Sequence, residues 1–327
     1  MKKFLCLVLG LVLLTSLVAC GKKDAPDNEV LQPEPDLPSV SYELSALNEP
    51  LVIDTDQLVK ITLKDLKANF NGPVIHIKNA NGVQIYLEGQ NDLVSTGDKE
   101  TATILAETDL TFFGTGTLDI SSVGSCIQTS GNLFVMNGTF YLKSGKTGYG
   151  MCADETMVIN SGKITSTGSK CLEATQVLLN NGTVNLESNS IAIRAVDRVK
   201  SLKPKFTLNG GKVTIKMTDS YTYAIESTGE FAIHNGTLDI DAKAAFCWKN
   251  VPVFDGGTVI VAGVEIEELN NYIEAIESTT DLEDTESNTE SNESTQTTTP
   301  TDENTNTGSE GTTNTEETTN FNETTTN

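Results

Sequence analysis

The feature that most constrains the fold is a short pattern that occurs six times between residues 124 and 261. Each copy begins with three residues of which the first is apolar and the third is small, as in Leu172-Glu173-Ala174; we call this the apolar–x–small element. It is followed by a stretch in which apolar and other residues alternate, a turn that contains glycine, and a second alternating stretch. The turn glycines are 24, 20, 29, 25 and 21 residues apart; they are Gly138, Gly162, Gly182, Gly211, Gly236 and Gly257. A period in this range is typical of repeat architectures. Alternation of apolar residues predicts strand, turn and strand in each copy.

Three short strands per copy, with no helical stretch between them, predict an all-β fold. We expect a right-handed, single-stranded parallel β-helix with about 20–29 residues per coil, in which coils stack about 4.8 Å apart. Inward residues such as Val135, Ile159 and Leu179 would then form a continuous apolar ladder. A hairpin meander is the alternative, because Asn-Gly is a strong hairpin signal. The meander leaves the apolar–x–small element unexplained, so the β-helix is favoured.

Residues 1–19 have the pattern of a bacterial lipoprotein signal peptide. Two lysines precede an apolar stretch at 4–18 that is too short to span a membrane as a helix. The sequence LVAC at 17–20 resembles a lipobox, in which Cys20 receives the lipid. An ordinary secretion signal with a chance cysteine is the alternative. We therefore expect an extracytoplasmic protein anchored to the membrane through Cys20, at the cell surface.

Composition divides the rest of the chain. Residues 20–41 form a Pro-rich, charged linker, and the predicted β-helix domain covers 42–263. Apolar residues at helical spacing predict a short amphipathic capping helix at 264–276. Residues 277–327 are rich in Thr, Asn, Ser and Glu, which predicts a disordered tail. After Lys249 there are 18 acidic residues and no Lys or Arg, so that stretch carries −18 of the formal net charge of −23.

The six cysteines do not indicate a disulfide framework. Cys6 falls in the signal peptide and Cys20 takes the lipid. Of the other four, the repeat frame places Cys126 and Cys171 two coils apart, which is too far for a disulfide, and Cys126 and Cys152 on adjacent coils but two positions out of step. We expect these four to be unpaired, small packing residues; they are Cys126, Cys152, Cys171 and Cys247. With only two His residues in the chain, no Cys/His group has metal-ligand spacing.

Several segments resemble a known bacterial family. They are VKITL at 59–63, NGPVIHIKNA at 71–80, ATILAETDLT at 102–111 and GTGTL at 114–118, followed by the six repeats. This order of elements is similar to that of the carbohydrate-binding parallel β-helix lipoproteins of anaerobic plant-polymer-degrading bacteria, over about residues 55–262. The resemblance implies a pectate-lyase-like fold, calcium binding, and binding of acidic plant polysaccharides such as polygalacturonate. Members are regarded as binders more than as enzymes.

The chain departs from the family at its calcium ligands. In the family, Asp commonly stands two positions before the inward apolar residue of each coil, and stacked carboxylates suit calcium. None of the corresponding residues here is acidic; they are Ser125, Tyr149, Lys170, Ile191, Tyr223 and Ala244. Asp154 and Glu155, with a neighbour on the next coil, form the remaining candidate calcium site. The favoured alternative is that these two are solvated turn acids.

A charged row follows the inward apolar residues. The next position reads Gln128, Cys152, Glu173, Arg194, Glu226 and Cys247 along six coils. Opposite charges at Glu173, Arg194 and Glu226 would lie side by side, which indicates structural pairing. The other interpretation is a polyuronate lyase, in which an Arg or Lys of the β-helix takes the proton next to a uronate carboxylate beside calcium. An arginine between two carboxylates is a poor base, because both favour its charged form.

The remaining candidates suggest binding. Basic residues gather in the longest inter-turn segment, and bidentate arginines suit carboxylates. Tyrosine and tryptophan rings could receive sugar faces, or could instead pack over coil edges. The predicted carbohydrate-binding residues are Arg194, Arg198, Lys170, Lys200, Tyr149, Tyr223 and Trp248. The basic cluster is too short, and has too few aromatic residues interleaved with it, to indicate a nucleic-acid site.

From these features we predict a surface lipoprotein that binds an acidic, plant-type polysaccharide without catalysis. A calcium-dependent polyuronate lyase is the first alternative. An adhesin or structural stalk is the second.

Overall fold

The computed structural model describes residues 38–97, 99–218 and 222–267, which form 27 strands and no helix. In chain order the strands are β1 (Ser39–Leu44), β2 (Leu51–Asp54), β3 (Leu58–Lys64), β4 (Lys67–Phe70), β5 (Ile75–Asn79), β6 (Val83–Glu88), β7 (Gln90–Ser95), β8 (Ala102–Ala106), β9 (Leu110–Gly114), β10 (Thr117–Ser122), β11 (Ser125–Thr129), β12 (Leu133–Val135), β13 (Thr139–Lys143), β14 (Tyr149–Ala153), β15 (Thr156–Ile159), β16 (Lys163–Ala174), β17 (Gln176–Leu179), β18 (Thr183–Ala195), β19 (Lys205–Leu208), β20 (Lys212–Met217), β21 (Tyr223–Ser227), β22 (Glu230–Ile233), β23 (Thr237–Asp241), β24 (Ala244–Trp248), β25 (Val253–Phe254), β26 (Thr258–Val261) and β27 (Val264–Glu265).

The strands form three parallel faces that wind around one core. Face 1 is the ten-stranded sheet β1-β3-β6-β9-β12-β15-β17-β19-β22-β25. The other sheet, which has 17 strands, bends sharply and so forms the other two faces. Face 2 follows the turn glycines and is ordered β4-β7-β10-β13-β16-β18-β20-β23-β26; face 3 carries the apolar–x–small elements and is ordered β2-β5-β8-β11-β14-β16-β18-β21-β24. The long strands β16 and β18 run through both. The predicted parallel β-helix is confirmed.

Register confirms the predicted apolar ladder on face 1. Val135 pairs with Ile159, which pairs with Leu179, and the series continues in later coils. All of its members are at most 1% exposed; they are Val135, Ile159, Leu179, Leu208 and Ile233. Because coils stack in parallel, like residues meet like residues along the axis. The hairpin alternative is wrong for the repeats, since every pairing among them is parallel.

Glycine is required at the turn between faces 1 and 2. Gly182 has φ of +102°, and a Cβ added there would lie 2.6 Å from the carbonyl oxygen of Gly162 in the coil before. A side chain would therefore combine backbone strain with a backbone clash. This explains why the glycine recurs in each repeat.

An amide ladder lines the same corner. The side chain of Asn180 donates to Asn160 Oδ1 at 2.8 Å, and Asn209 Nδ2 donates to Asn180 Oδ1 at 2.8 Å. The two following coils place His234 and Asp255 at this position, and His234 Nδ1 lies 2.7 Å from Asp255 Oδ1. Side-chain hydrogen bonds between coils thus add to the backbone pairing.

Both ends of the predicted β-helix domain differ from expectation. Strand β1 begins at Ser39, inside the predicted linker, and pairs with β3. At the other end, β27 pairs antiparallel with β26 where the capping helix 264–276 was predicted to begin. Positive φ values at Ala262 and Gly263 reverse the chain, so the free edge of β26 receives a hairpin partner. The rest of that predicted segment, the predicted signal peptide at 1–19 and the predicted tail at 277–327 lie outside the described residues.

No helix in residues 38–97, 99–218 and 222–267 could cross a bilayer, since these residues form strands and connections only.

The four cysteines of the β-helix are unpaired, as predicted. Three are fully buried, namely Cys126, Cys152 and Cys171, whereas Cys247 is partly exposed. Burial raises the pKa of Cys171 to about 12, in spite of a hydrogen bond to Ser166 that lowers it. At neutral pH these buried thiols are protonated packing groups.

We predict that replacing Asn180 with alanine destabilises the β-helix by about 1–2 kcal/mol, because two amide hydrogen bonds between coils are lost. The measurement is the free energy of unfolding in urea. Asn185→Ala, on the outer surface of β18, is the matched control and should change it by less than about 0.5 kcal/mol. Equal effects of the two substitutions would contradict a stabilising ladder.

We also predict that iodoacetamide at pH 8 modifies the folded protein at Cys247 before the other three β-helix cysteines. Burial blocks their access and raises their pKa, which lowers the fraction of reactive thiolate. Peptide mass spectrometry after timed labelling checks this order, with urea-unfolded protein as the control in which all four react. Labelling of Cys152 as fast as Cys247 in the folded state would show that face 3 opens.

Candidate functional site

The charged row predicted from the sequence lies on face 3. Cys152 pairs with Glu173, Glu173 with Arg194, and Arg194 with Glu226. Gln128 precedes them and Cys247 follows them in the same register. The predicted order of side chains along the solenoid is therefore confirmed, and carboxylate and guanidinium groups alternate on consecutive coils.

Arg194 joins the two carboxylates that flank it. Its Nε donates to Glu226 Oε2 at 2.7 Å, and its Nη1 lies 3.5 Å from Glu173 Oε2. Burial lowers the pKa of this guanidinium, but Glu226 and Glu173 outweigh that effect, so the pKa of Arg194 lies above its ordinary value. The side chain is held as a permanent cation.

Arg198 reaches the same row from the segment between β18 and β19. Its Nε and Nη2 donate to Asp154 Oδ1 at 2.9 and 2.8 Å, and its Nη1 donates to Glu173 Oε1. The backbone amides of Arg198 and Val199 donate to Thr175 Oγ1 at 3.2 and 3.3 Å. Side chain and backbone thus fix this segment across three coils.

Glu173 is the centre of the network. Its side chain is 2% exposed and accepts from both arginines. A buried carboxylate is costly unless opposite charge and hydrogen bonds compensate it. Burial lowers the pKa of Arg198 as well, yet the hydrogen bond to Asp154 and the charges of Asp154 and Glu173 raise the pKa of Arg198 above its ordinary value. Each charge on this corner therefore depends on the others.

An aromatic ring and a lysine complete the corner. Tyr149 pairs with Lys170 on the next coil, and Lys170 Nζ lies 5.0 Å from the centroid of the Tyr149 ring. Arg198 Cζ lies 5.8 Å from the same centroid. We name this group, with Asp154, Glu173, Arg194 and Glu226, the face 3 cluster. It brings together four of the predicted carbohydrate-binding residues.

The other three predicted residues lie apart from the face 3 cluster. Lys200 is exposed on the segment that Arg198 fixes, and Tyr223 is 45% exposed on β21. Trp248 pairs with Ser227, which puts it in the register of the small inward residue of earlier coils. Its ring stacks on Phe246, with centroids 5.2 Å apart.

The acidic pair proposed for calcium does not form one donor set. Asp154 binds Arg198, whereas Glu155 Oε2 accepts from Asn132 Nδ2 at 3.0 Å. Within the three described ranges, no group of three or more His, Cys, Asp or Glu side chains is arranged to hold a metal ion. The residues present thus do not fit the calcium site that the resemblance implies. The predicted calcium site at Asp154 and Glu155 therefore has no donor set among the described residues.

The contacts of Arg198 were not predicted from the sequence. The pattern placed it among loop cations available to a ligand, while the structure gives it two carboxylate partners of its own. The register aligns Asp154 and Thr175 with Val196, two residues before Arg198, so the repeat frame gave only a partial signal. The link depends on the conformation of residues 196–204, which no periodic pattern describes.

Comparisons with known proteins place the chain in a family. A family model described as "Carbohydrate-binding domain-containing protein" matches residues 41–326. A comparison with curated proteins found no match. The chain is similar to a solved polysaccharide lyase-like protein from C. thermocellum, a gadolinium derivative, with 16% identity, a TM-score of 0.45, and coverage of 67% of this chain and 87% of that one. Because the family model spans most of the sequence, this protein belongs to the family of carbohydrate-binding domain-containing proteins.

Proposed function

We propose that this protein binds an acidic, plant-type polysaccharide at the face 3 cluster, without cleaving it. Family membership supports carbohydrate as the ligand class. The observation that supports the location is the convergence of Tyr149, Lys170, Arg194 and Arg198 on one corner of the solenoid. Polysaccharide chains suit a solenoid face, because the repeats create an extended surface.

The chemistry of the cluster supports a preorganised polar site. Arg194 and Arg198 are held by carboxylates, so little side-chain freedom is lost when a ligand binds. Asp154 and Glu226 retain partial exposure, at 32% and 19% of their side chains, and can accept hydrogen bonds from sugar hydroxyls. These carboxylates partly neutralise the arginines. Attraction to uronate groups therefore falls mainly to Lys170 within the cluster, and to Lys200 on the adjoining segment between β18 and β19.

The electrostatics argue for binding over elimination chemistry. A lyase needs a base that takes the proton next to the uronate carboxylate, and an effective base has a pKa near the working pH. The carboxylates that hold Arg194 and Arg198 raise the pKa of both above its ordinary value. Neither arginine is suited to accept a proton. This is why we propose a non-catalytic binder.

We further propose that the β-helix is displayed at the cell surface. The support is the lipobox-like sequence at 17–20, with Cys20 as the lipidated residue, followed by a Pro-rich spacer before β1. A spacer of this composition is extended and semi-rigid. It would hold the face 3 cluster away from the membrane, where a polymer could reach it.

We predict saturable binding of polygalacturonate that weakens on the order of ten-fold in Lys170→Ala/Lys200→Ala, which corresponds to about 1.4 kcal/mol. The measurement is calorimetric titration together with pull-down, with xylan and cellulose as neutral comparisons. The ultraviolet absorbance of unsaturated uronates is followed in the same samples. The control is Lys143→Ala/Lys216→Ala on exposed positions of face 2, which removes the same charge.

Three results would change the proposal. Equal weakening by both double variants would show that net charge, and not the face 3 cluster, governs binding. New ultraviolet absorbance would favour the lyase. Absence of binding to every polysaccharide would favour an adhesin or a structural stalk.

A further inference from the structure

We infer that Arg198 is the resident cation of the face 3 cluster, and that its guanidinium takes the place at which a divalent cation would bridge Asp154 and Glu173. This assignment concerns how the corner is assembled, and it does not depend on the identity of the polysaccharide. It predicts a site that is complete in the absence of metal.

The face 3 cluster holds three carboxylates from three coils, which are linked through Arg194 and Arg198; they are Asp154, Glu173 and Glu226. Glu173 is almost completely buried, and a buried carboxylate is stable only with compensating positive charge. A bound metal ion or a guanidinium can supply that charge. The contacts show that guanidinium groups do so here.

Arg198 bridges two of these carboxylates. Two of its nitrogens contact Asp154 Oδ1, and a third contacts Glu173 Oε1, so one planar group joins carboxylates from two coils. The other carboxylate oxygen of Glu173, Oε2, lies 3.5 Å from Nη1 of Arg194. Both oxygens of the buried carboxylate are thus occupied by nitrogen donors. A divalent cation would have to displace Arg198 to bind there.

Backbone hydrogen bonds attach the segment that carries Arg198 to the coil before it. The backbone amides of Arg198 and Val199 donate to Thr175 Oγ1, and the amide of Val196 donates to the carbonyl of Ala174 at 3.0 Å. A covalently attached cation is present at every calcium concentration. It also holds the segment that carries Lys200 against face 3. Metal removal should therefore leave both the corner and the segment in place.

Terbium luminescence tests the inference, because terbium occupies calcium-type oxygen sites and is sensitised by nearby tyrosine. The Tyr149 ring lies 5.8 Å from the guanidinium carbon of Arg198, so an ion in that position would be reported by Tyr149. The full chain is titrated with terbium in parallel with Tyr149→Phe. The difference between the two signals removes luminescence from ions on the acidic tail.

We expect no Tyr149-dependent luminescence from the unmodified protein, and the same melting temperature in calcium and in EDTA. Arg198→Ala should gain Tyr149-dependent luminescence, and calcium should raise its melting temperature, because Asp154 and Glu173 lose their cation. Adding Asp154→Asn to this variant should abolish both effects. Arg198→Lys, which keeps a cation, should behave more like the unmodified protein.

Tyr149-dependent luminescence in the unmodified protein, removed by Asp154→Asn, would overturn the inference. So would a well-folded Arg198→Ala variant that neither binds terbium nor loses stability. If Arg198→Ala does not fold, the inference is tested instead by the melting temperatures of the unmodified protein and of its Asp154→Asn variant, each measured in calcium and in EDTA. Identical melting temperatures in calcium and EDTA for both would support a resident arginine, and a calcium effect lost in Asp154→Asn would refute it.

Discussion

Parallel stacking of coils in register is the constraint on which the rest of this structure depends. Each strand takes its backbone partners from the coils before and after it, so a residue at one position of a coil lies beside the residue at the same position of the next. Apolar residues therefore form ladders inside, and Asn160, Asn180 and Asn209 form an amide ladder at a corner. The same rule places Glu173 beside Arg194 on face 3. Core, corner and candidate site are three consequences of one register.

The face 3 cluster shows how charge can be accommodated on such a surface. Identical charges on successive coils would lie about 4.8 Å apart, which is strongly unfavourable away from water. Alternation of Glu173, Arg194 and Glu226 avoids this, and Arg198 adds a second cation at the corner. The result is a rigid polar surface whose charges are largely satisfied internally. A ligand would meet fixed hydrogen-bonding groups there, with Lys170 and Lys200 supplying less compensated positive charge.

Periodicity predicts whatever the register determines, and little else. The inward ladder and the order of the charged row follow from counting residues from each turn glycine, and both are confirmed. Trp248 lies in the register of a small inward residue, but the last coil accommodates its ring against Phe246, which the pattern of earlier coils does not indicate. At Val264 and Glu265, where the helical spacing begins, the chain instead forms strand β27 on the exposed edge of β26. The contact of Arg198 with Asp154 depends on a non-repeating segment.

The most direct test of this account is a double-mutant cycle between Glu173 and Arg198. The free energy of unfolding in urea is measured for the unmodified protein, Glu173→Ala, Arg198→Ala and the double variant. Because Glu173 is buried and each single substitution leaves the other charge poorly compensated, the account predicts a coupling energy of about 1–3 kcal/mol. Additivity within about 0.3 kcal/mol would contradict it, and would mean that the charged row does not organise face 3.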